Sequence, residues 1–131
     1  MIQTLQSSEK SFSLKARGNS MAPNVTEGME LLIQPTNQVK AINLQDIIAF
    51  YRDDKIICHR LLIKFKLGDT KYYIEKGDNN FFPWIIREED LLGKVIKING
   101  CSKIPLPGKN LSKGKIFSRI FYLFSQKFMG K

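Results

Sequence analysis

Phe12-Ser13-Leu14-Lys15-Ala16-Arg17 runs straight into Gly18-Asn19-Ser20-Met21-Ala22-Pro23. Phe12, Leu14 and Ala16 alternate with Ser13, Lys15 and Arg17, the period of two of a half-buried strand. A serine therefore follows a strand end in a glycine turn. Two further stretches belong with it: the only histidine, His59, and Lys76-Gly77-Asp78-Asn79-Asn80. A serine hydroxyl is a weak nucleophile until a base takes its proton, an imidazole titrates in the right range, and a carboxylate can orient that imidazole. Ser20, His59 and Asp78 are the parts of such a unit. In a strand, His59 would point with Ile57 and Leu61 toward an apolar face, and the adjacent Cys58 would point away. Cys58 therefore reads as structural rather than as a thiol nucleophile.

Further apolar runs at residues 31–33, 46–51, 56–63, 71–74 and 95–98 are short enough to be strands and rich in Ile and aromatics. Asp53-Asp54 and Gly68-Asp69 separate consecutive runs, which predicts two hairpins and a small antiparallel meander. Residues 87–92 suggest a short helical turn before the last strand. Pro105, Pro107 and Gly108 break the chain, and Asn110 or Ser112 could cap a helix beyond the break. From 113 to 131, Ile116, Phe117, Ile120, Phe121, Phe124 and Phe128 fall on one helical face opposite Lys115, Arg119 and Gln126. The expected organisation is a mainly β domain over 1–104 and a linker with a C-terminal basic amphipathic helix over 105–131.

At 131 residues and 43% hydrophobic, the chain has enough apolar material for one core. The 21 Lys plus Arg against 12 Asp plus Glu leave a net charge of +9, which favours anionic partners. Cys58 and Cys101 are too few for a disulfide framework and lack zinc-site spacing, so free thiols and a reducing compartment are expected. No metal or cofactor motif occurs. No run reaches the ~18 apolar residues of a spanning helix, and the first 15 residues lack an export-signal core. A cytoplasmic protein is expected, peripheral at a membrane surface if residues 113–131 bind there. Neither a ribonucleoprotein-type aromatic motif nor a recognition-helix pattern occurs, so no nucleic-acid partner is expected.

The residues also carry a family resemblance. Gly18-Asn19-Ser20-Met21-Ala22-Pro23 resembles the Gly-x-Ser-Met-x-Pro nucleophile box of the type I signal peptidase superfamily, which also holds the self-cleaving phage and SOS repressors. Residues 46–50 resemble its next strand, Cys58-His59-Arg60-Leu61 the strand of the general base, Lys76-Gly77-Asp78-Asn79-Asn80 the Gly-Asp box, and Leu92-Gly93-Lys94-Val95 the closing strand. Bacterial members have lysine before the arginine of the base strand; His59-Arg60 is similar to the serine/histidine branch. The resemblance implies a small antiparallel signal-peptidase-like β fold and a serine endopeptidase without cofactor or metal. Its substrate would be an extended peptide, such as a leader or signal-like segment, lying along a strand edge before Ser20. It further implies Ser20 as nucleophile, His59 as base and Asp78 as orienting acid, with the more distant Asp90 as the alternative. Gly18, Asn19, Met21 and Pro23 would surround the substrate and the oxyanion.

Three departures stand out: Phe81-Phe82-Pro83-Trp84 occupies the place of a second acidic cluster, Gly28 is followed by Met29-Glu30 rather than Asp, and no run within these 131 residues matches the membrane anchor of true signal peptidases, so an unanchored protein is expected. Phe81, Phe82 and Trp84 read equally as a partner patch or as core cover. Two other classes compete with the peptidase: a self-cleaving regulator of the same fold, and a non-catalytic binding module using its positive charge.

If residues 113–131 form an interfacial helix, the intact chain co-sediments with anionic vesicles, salt weakens the association, and a version ending at Gly108 loses it. Equal, negligible binding by both, with the shortened chain less stable, would show that the segment covers the domain instead.

Overall fold

The computed structural model describes residues 10–39 and 41–107. The amphipathic helix expected over 113–131 lies outside the described residues. Among the described residues, seven strands form one antiparallel sheet: β1 (Phe12–Lys15), β2 (Glu30–Pro35), β3 (Ile47–Arg52), β4 (Lys55–Leu67), β5 (Thr70–Lys76), β6 (Trp84–Arg87) and β7 (Leu91–Ile98), in the spatial order β1-β2-β7-β3-β4-β5-β6. The architecture is mainly β, as the run lengths and turn residues predict. Strands β3 to β5 make the expected meander; β6, which the apolar runs did not mark, extends it past β5, and β7 returns to lie between β2 and β3.

The hairpins stand where the turn chemistry puts them. Asp53 and Asp54 both adopt positive φ (53° and 61°), the backbone of a two-residue turn whose twist matches the strands it joins. The Tyr51 hydroxyl donates to Asp54 at 2.9 Å and ties the turn to β3.

Both faces of the central strands are covered, which explains why they read as runs rather than alternations. Ile47 and Ala49 pack with Leu31, Ile33, Leu92 and Val95 in one cluster. Ile48 and Phe50 point the other way, into a cluster with Leu61, Tyr73, Ile86 and Leu91. The same two-sidedness corrects the helical turn expected at 87–92. Leu91 and Leu92 bury on opposite faces as the start of β7, and only Glu88–Asp90 winds, as one 3₁₀ turn.

At Gly93 the β2 and β7 backbones approach closely. A Cβ there would overlap the carbonyl oxygen of Gln34 and come within 2.9 Å of Ile33 Cγ2. Gly93→Ala is therefore expected to destabilise the protein by about 1–3 kcal/mol through strain at this crossing. Gly68 has open space around its Cβ position but a φ of 59°, so its substitution should cost only the left-handed backbone strain of about 1 kcal/mol, less than at Gly93. Urea midpoints of the two variants check the ranking.

Candidate active site

Gly18 (φ 74°) turns the chain out of the strand direction, and its N–H donates to Glu27 Oε1 at 3.3 Å. The following segment coils tightly: the Ala22 N–H donates to the Asn19 carbonyl at 3.1 Å and the Val25 N–H to the Met21 carbonyl at 2.9 Å. The side chains of Met21 and Val25 are buried in the core and pin this coil. Ser20, between the strand end and the coil, is half-buried.

The turn after β5 clasps the same coil. The Asn79 N–H donates to the Ser20 carbonyl at 2.8 Å, and the Asn79 side chain donates to the Asn19 carbonyl at 3.1 Å. Gly77 is required here because a Cβ would stand 2.6 Å from the Ser20 carbonyl oxygen. Two loops far apart in sequence are thus held as one unit.

The Ser20 Oγ lies 3.1 Å from His59 Nε2. On its other side, His59 Nδ1 stands 2.6 Å from Glu75 Oε2. An ionised carboxylate only accepts, so Nδ1 carries the proton and Nε2 is left to accept from the serine hydroxyl. His59 is 6% exposed and Glu75 2%. The second oxygen of Glu75 accepts from Arg52 Nη1 at 2.9 Å. The Phe50 ring packs edge-on to the imidazole, 5.9 Å between centroids, with the Arg52 guanidinium 5.1 Å from the same ring.

Asp78 is not on His59. Its Oδ1 accepts from Arg60 Nε at 3.1 Å, while its Oδ2 accepts from Arg60 Nη2 at 2.6 Å and from the Asn24 side chain at 2.8 Å. With both oxygens occupied by a buried guanidinium and by the serine coil, Asp78 ties strand to loop, and the carboxylate on the imidazole is Glu75. Asp90 ends the turn before β7. Arg60 also donates to the carbonyls of Gln45 (3.0 Å) and Pro105 (2.8 Å). The sequence does carry a signal for Glu75: a carboxylate directly after the run 71–74, the strand predicted to pair with that of His59.

A cavity of about 760 Å³ opens beside Ser20 and His59. Leu14, Ala16, Val25, Leu31 and Ile47 supply apolar lining, and Lys15, Arg17 and Lys55 border it with no Asp or Glu among the described lining residues. Gly18 and Met21 reach this wall; Asn19 and Pro23 do not. β1 pairs only with β2, and β4 pairs with β5 only from Arg60 onward. Among the described residues, the outer edge of β1 and, before Arg60, the edge of β4 that turns away from β3 are therefore left without a strand partner beside the cavity.

Cys58 also lines the cavity, but burial pushes its thiol up to about 12, so it is protonated at neutral pH. Burial likewise lowers the Lys76 ammonium, against the opposing pull of Asp78. Phe81, Phe82 and Trp84 are 70%, 52% and 50% exposed, which removes the core-cover reading. Among the described residues, no group of three or more His, Cys, Asp or Glu could hold a metal ion, and no helix is long and apolar enough to cross a membrane.

Comparison with known proteins gives the family. Signal peptidase I W of Bacillus subtilis (strain 168) is 32% identical over 71 residues, which cover 53% of this chain and 37% of that protein. The chain thus spans little more than a third of the length of this relative. The family model described as Peptidase S24-like matches residues 1–96. A β fold of this topology, a serine coil clasped by the Gly-Asp turn and a match over most of the chain together mean that the protein belongs to the Peptidase S24-like family.

Proposed function

We propose that the protein is a serine endopeptidase in which Ser20, His59 and Glu75 act as nucleophile, base and orienting acid. The observation that carries this reading is the continuous line from Ser20 Oγ through both imidazole nitrogens to a buried carboxylate. His59 Nε2 takes the hydroxyl proton as Ser20 Oγ attacks the scissile carbonyl carbon. Glu75 holds the imidazole in the tautomer that can accept and stabilises the imidazolium that forms. The proton then passes to the leaving amine as the C–N bond breaks. Water, deprotonated by the same imidazole, hydrolyses the acyl-serine. The Ser20 N–H is the candidate oxyanion donor, in a backbone held by Asn79.

The substrate is an extended peptide that adds as a strand between the outer edge of β1 and the start of β4. The apolar lining suits small or apolar side chains next to the cleaved bond. A leader or signal-like segment fits that description, and the notion of a peptide substrate is supported by the family to which the chain belongs.

Mass-spectrometric analysis of a peptide library incubated with the protein tests the reading. Ser20→Ala and His59→Ala should each lower cleavage by about 10³-fold or more, because nucleophile and base act as a unit. Rates within tenfold of wild type in either variant would sink the assignment.

Glu75→Gln and Asp78→Asn should fail in different ways. Glu75→Gln is expected to keep the fold and lose about 10²-fold or more in rate, since the imidazole loses the acceptor that sets its tautomer. Asp78→Asn leaves Arg60 uncompensated in the interior and should cost about 3–5 kcal/mol of stability. Cleavage rates compared with thermal melts separate the two; a larger rate loss per folded molecule in Asp78→Asn would reverse the roles.

A further inference from the structure

We infer that Arg52 is a positioning residue that sets the pH range over which His59 can serve as a base. The inference rests on the assignment of His59 and Glu75 above. Glu75 is almost wholly buried, and among the described residues two groups reach its oxygens: His59 at Oε2 and Arg52 at Oε1. A buried carboxylate needs a compensating positive charge, or it takes up a proton. Arg52 supplies that charge permanently, because a guanidinium does not deprotonate in proteins. With that charge met by Arg52, the carboxylate has less need of a cationic partner in His59, and a neutral imidazole offers Nε2 as acceptor to the serine hydroxyl.

Without Arg52, the remaining contact that could become cationic at the carboxylate is His59 itself. The Glu75 charge would then draw a proton onto the imidazole and hold it there, which removes the base. The other titratable and charged groups near this cluster do not replace Arg52. From β4, Cys58 is a protonated thiol and Lys55 is exposed at the hairpin, opposite Arg52 in register. From β5, Tyr73 has its phenol raised by burial and Lys76 bonds the Gly77 carbonyl. Arg60 and Asp78 neutralise each other. Ser20 is uncharged.

Geometry supports a dedicated role. Arg52 is the last residue of β3, its side chain only 26% exposed, and its guanidinium lies over the ring of Phe50, which also abuts the imidazole. One aromatic ring thus sets the spacing of the cation and the base. The bond to Glu75 is a charge-assisted one between the last residue of β3 and a buried residue one short of the end of β5.

His59 is the only histidine in the chain, so its imidazole gives one unambiguous NMR signal. The test is to titrate that signal in wild type, Arg52→Gln, Arg52→Lys and Glu75→Gln, and to follow library cleavage by wild type and the Arg52 variants across the same pH range. In Arg52→Gln the imidazole should keep its proton to higher pH than in wild type, by about one pH unit or more. The acid limb of cleavage should move with it, and activity should recover at high pH. Arg52→Lys should stay close to wild type, and Glu75→Gln should release the proton at lower pH. Arg52→Met, which keeps the side-chain stem over Phe50, repeats the neutral substitution should the glutamine variant unfold.

An unchanged titration in the neutral variants, or a rate loss uniform across pH, would overturn the inference and make Arg52 a structural residue. Absence of any cleavage by wild type would instead count against the peptidase reading, and the titration would still decide the role of Arg52.

Discussion

Ser20 and His59 belong to opposite parts of the sheet, and what holds them together is the clasp between the 77–80 turn and the serine coil. β1 stands first in the strand order and β4 fifth, so sheet pairing alone does not bring them into contact. The clasp works at several points: Asn79 holds the Ser20 and Asn19 carbonyls, Asp78 holds the Asn24 side chain, and the Asp78 N–H meets Met21 Sδ at 3.2 Å. Asp78 is itself anchored by Arg60, the residue next to His59. The loop that presents the hydroxyl is thus referenced to the strand that presents the imidazole. A catalytic geometry needs that kind of support, because a hydroxyl displaced by an ångström no longer meets its base.

Charge and burial divide the acidic residues into two roles. Asp78, paired with a guanidinium and an amide, spends its hydrogen-bonding capacity on architecture. Glu75, one oxygen on His59 and the other on Arg52, lies in the interior where water cannot compete for the imidazole. The two carboxylates are three residues apart in sequence, and their strand positions separate them: Glu75 lies within β5, whereas Asp78 follows its end.

Much of this is legible in the sequence. Alternation in residues 12–17 gives β1, and Asp53-Asp54 and Gly68-Asp69 give two hairpins. The serine box and the lone histidine mark the two residues that the fold brings within 3.1 Å of each other in the candidate site. Three features are not legible, for separate physical reasons. The insertion of β7 between β2 and β3 is a long-range pairing that local periodicity does not encode. The strand start at Leu91-Leu92 looks helical because both faces of the sheet are buried, which erases alternation. Glu75 is overshadowed because Gly-Asp turn chemistry at 77–78 offers a more conspicuous acid, although a glutamate directly after Tyr72-Tyr73-Ile74 is itself a signal.

The claim on which the rest depends is that the Glu75 carboxylate, not that of Asp78, holds the imidazole of His59. A proton shared between an imidazole Nδ1 and a carboxylate resonates far downfield of the amide region, and with a single histidine such a signal has one source. Proton NMR of the resting protein therefore tests the claim most directly. A downfield resonance present in wild type, retained in Asp78→Asn and lost in Glu75→Gln is the predicted result. Its loss in Asp78→Asn with retention in Glu75→Gln would contradict the account.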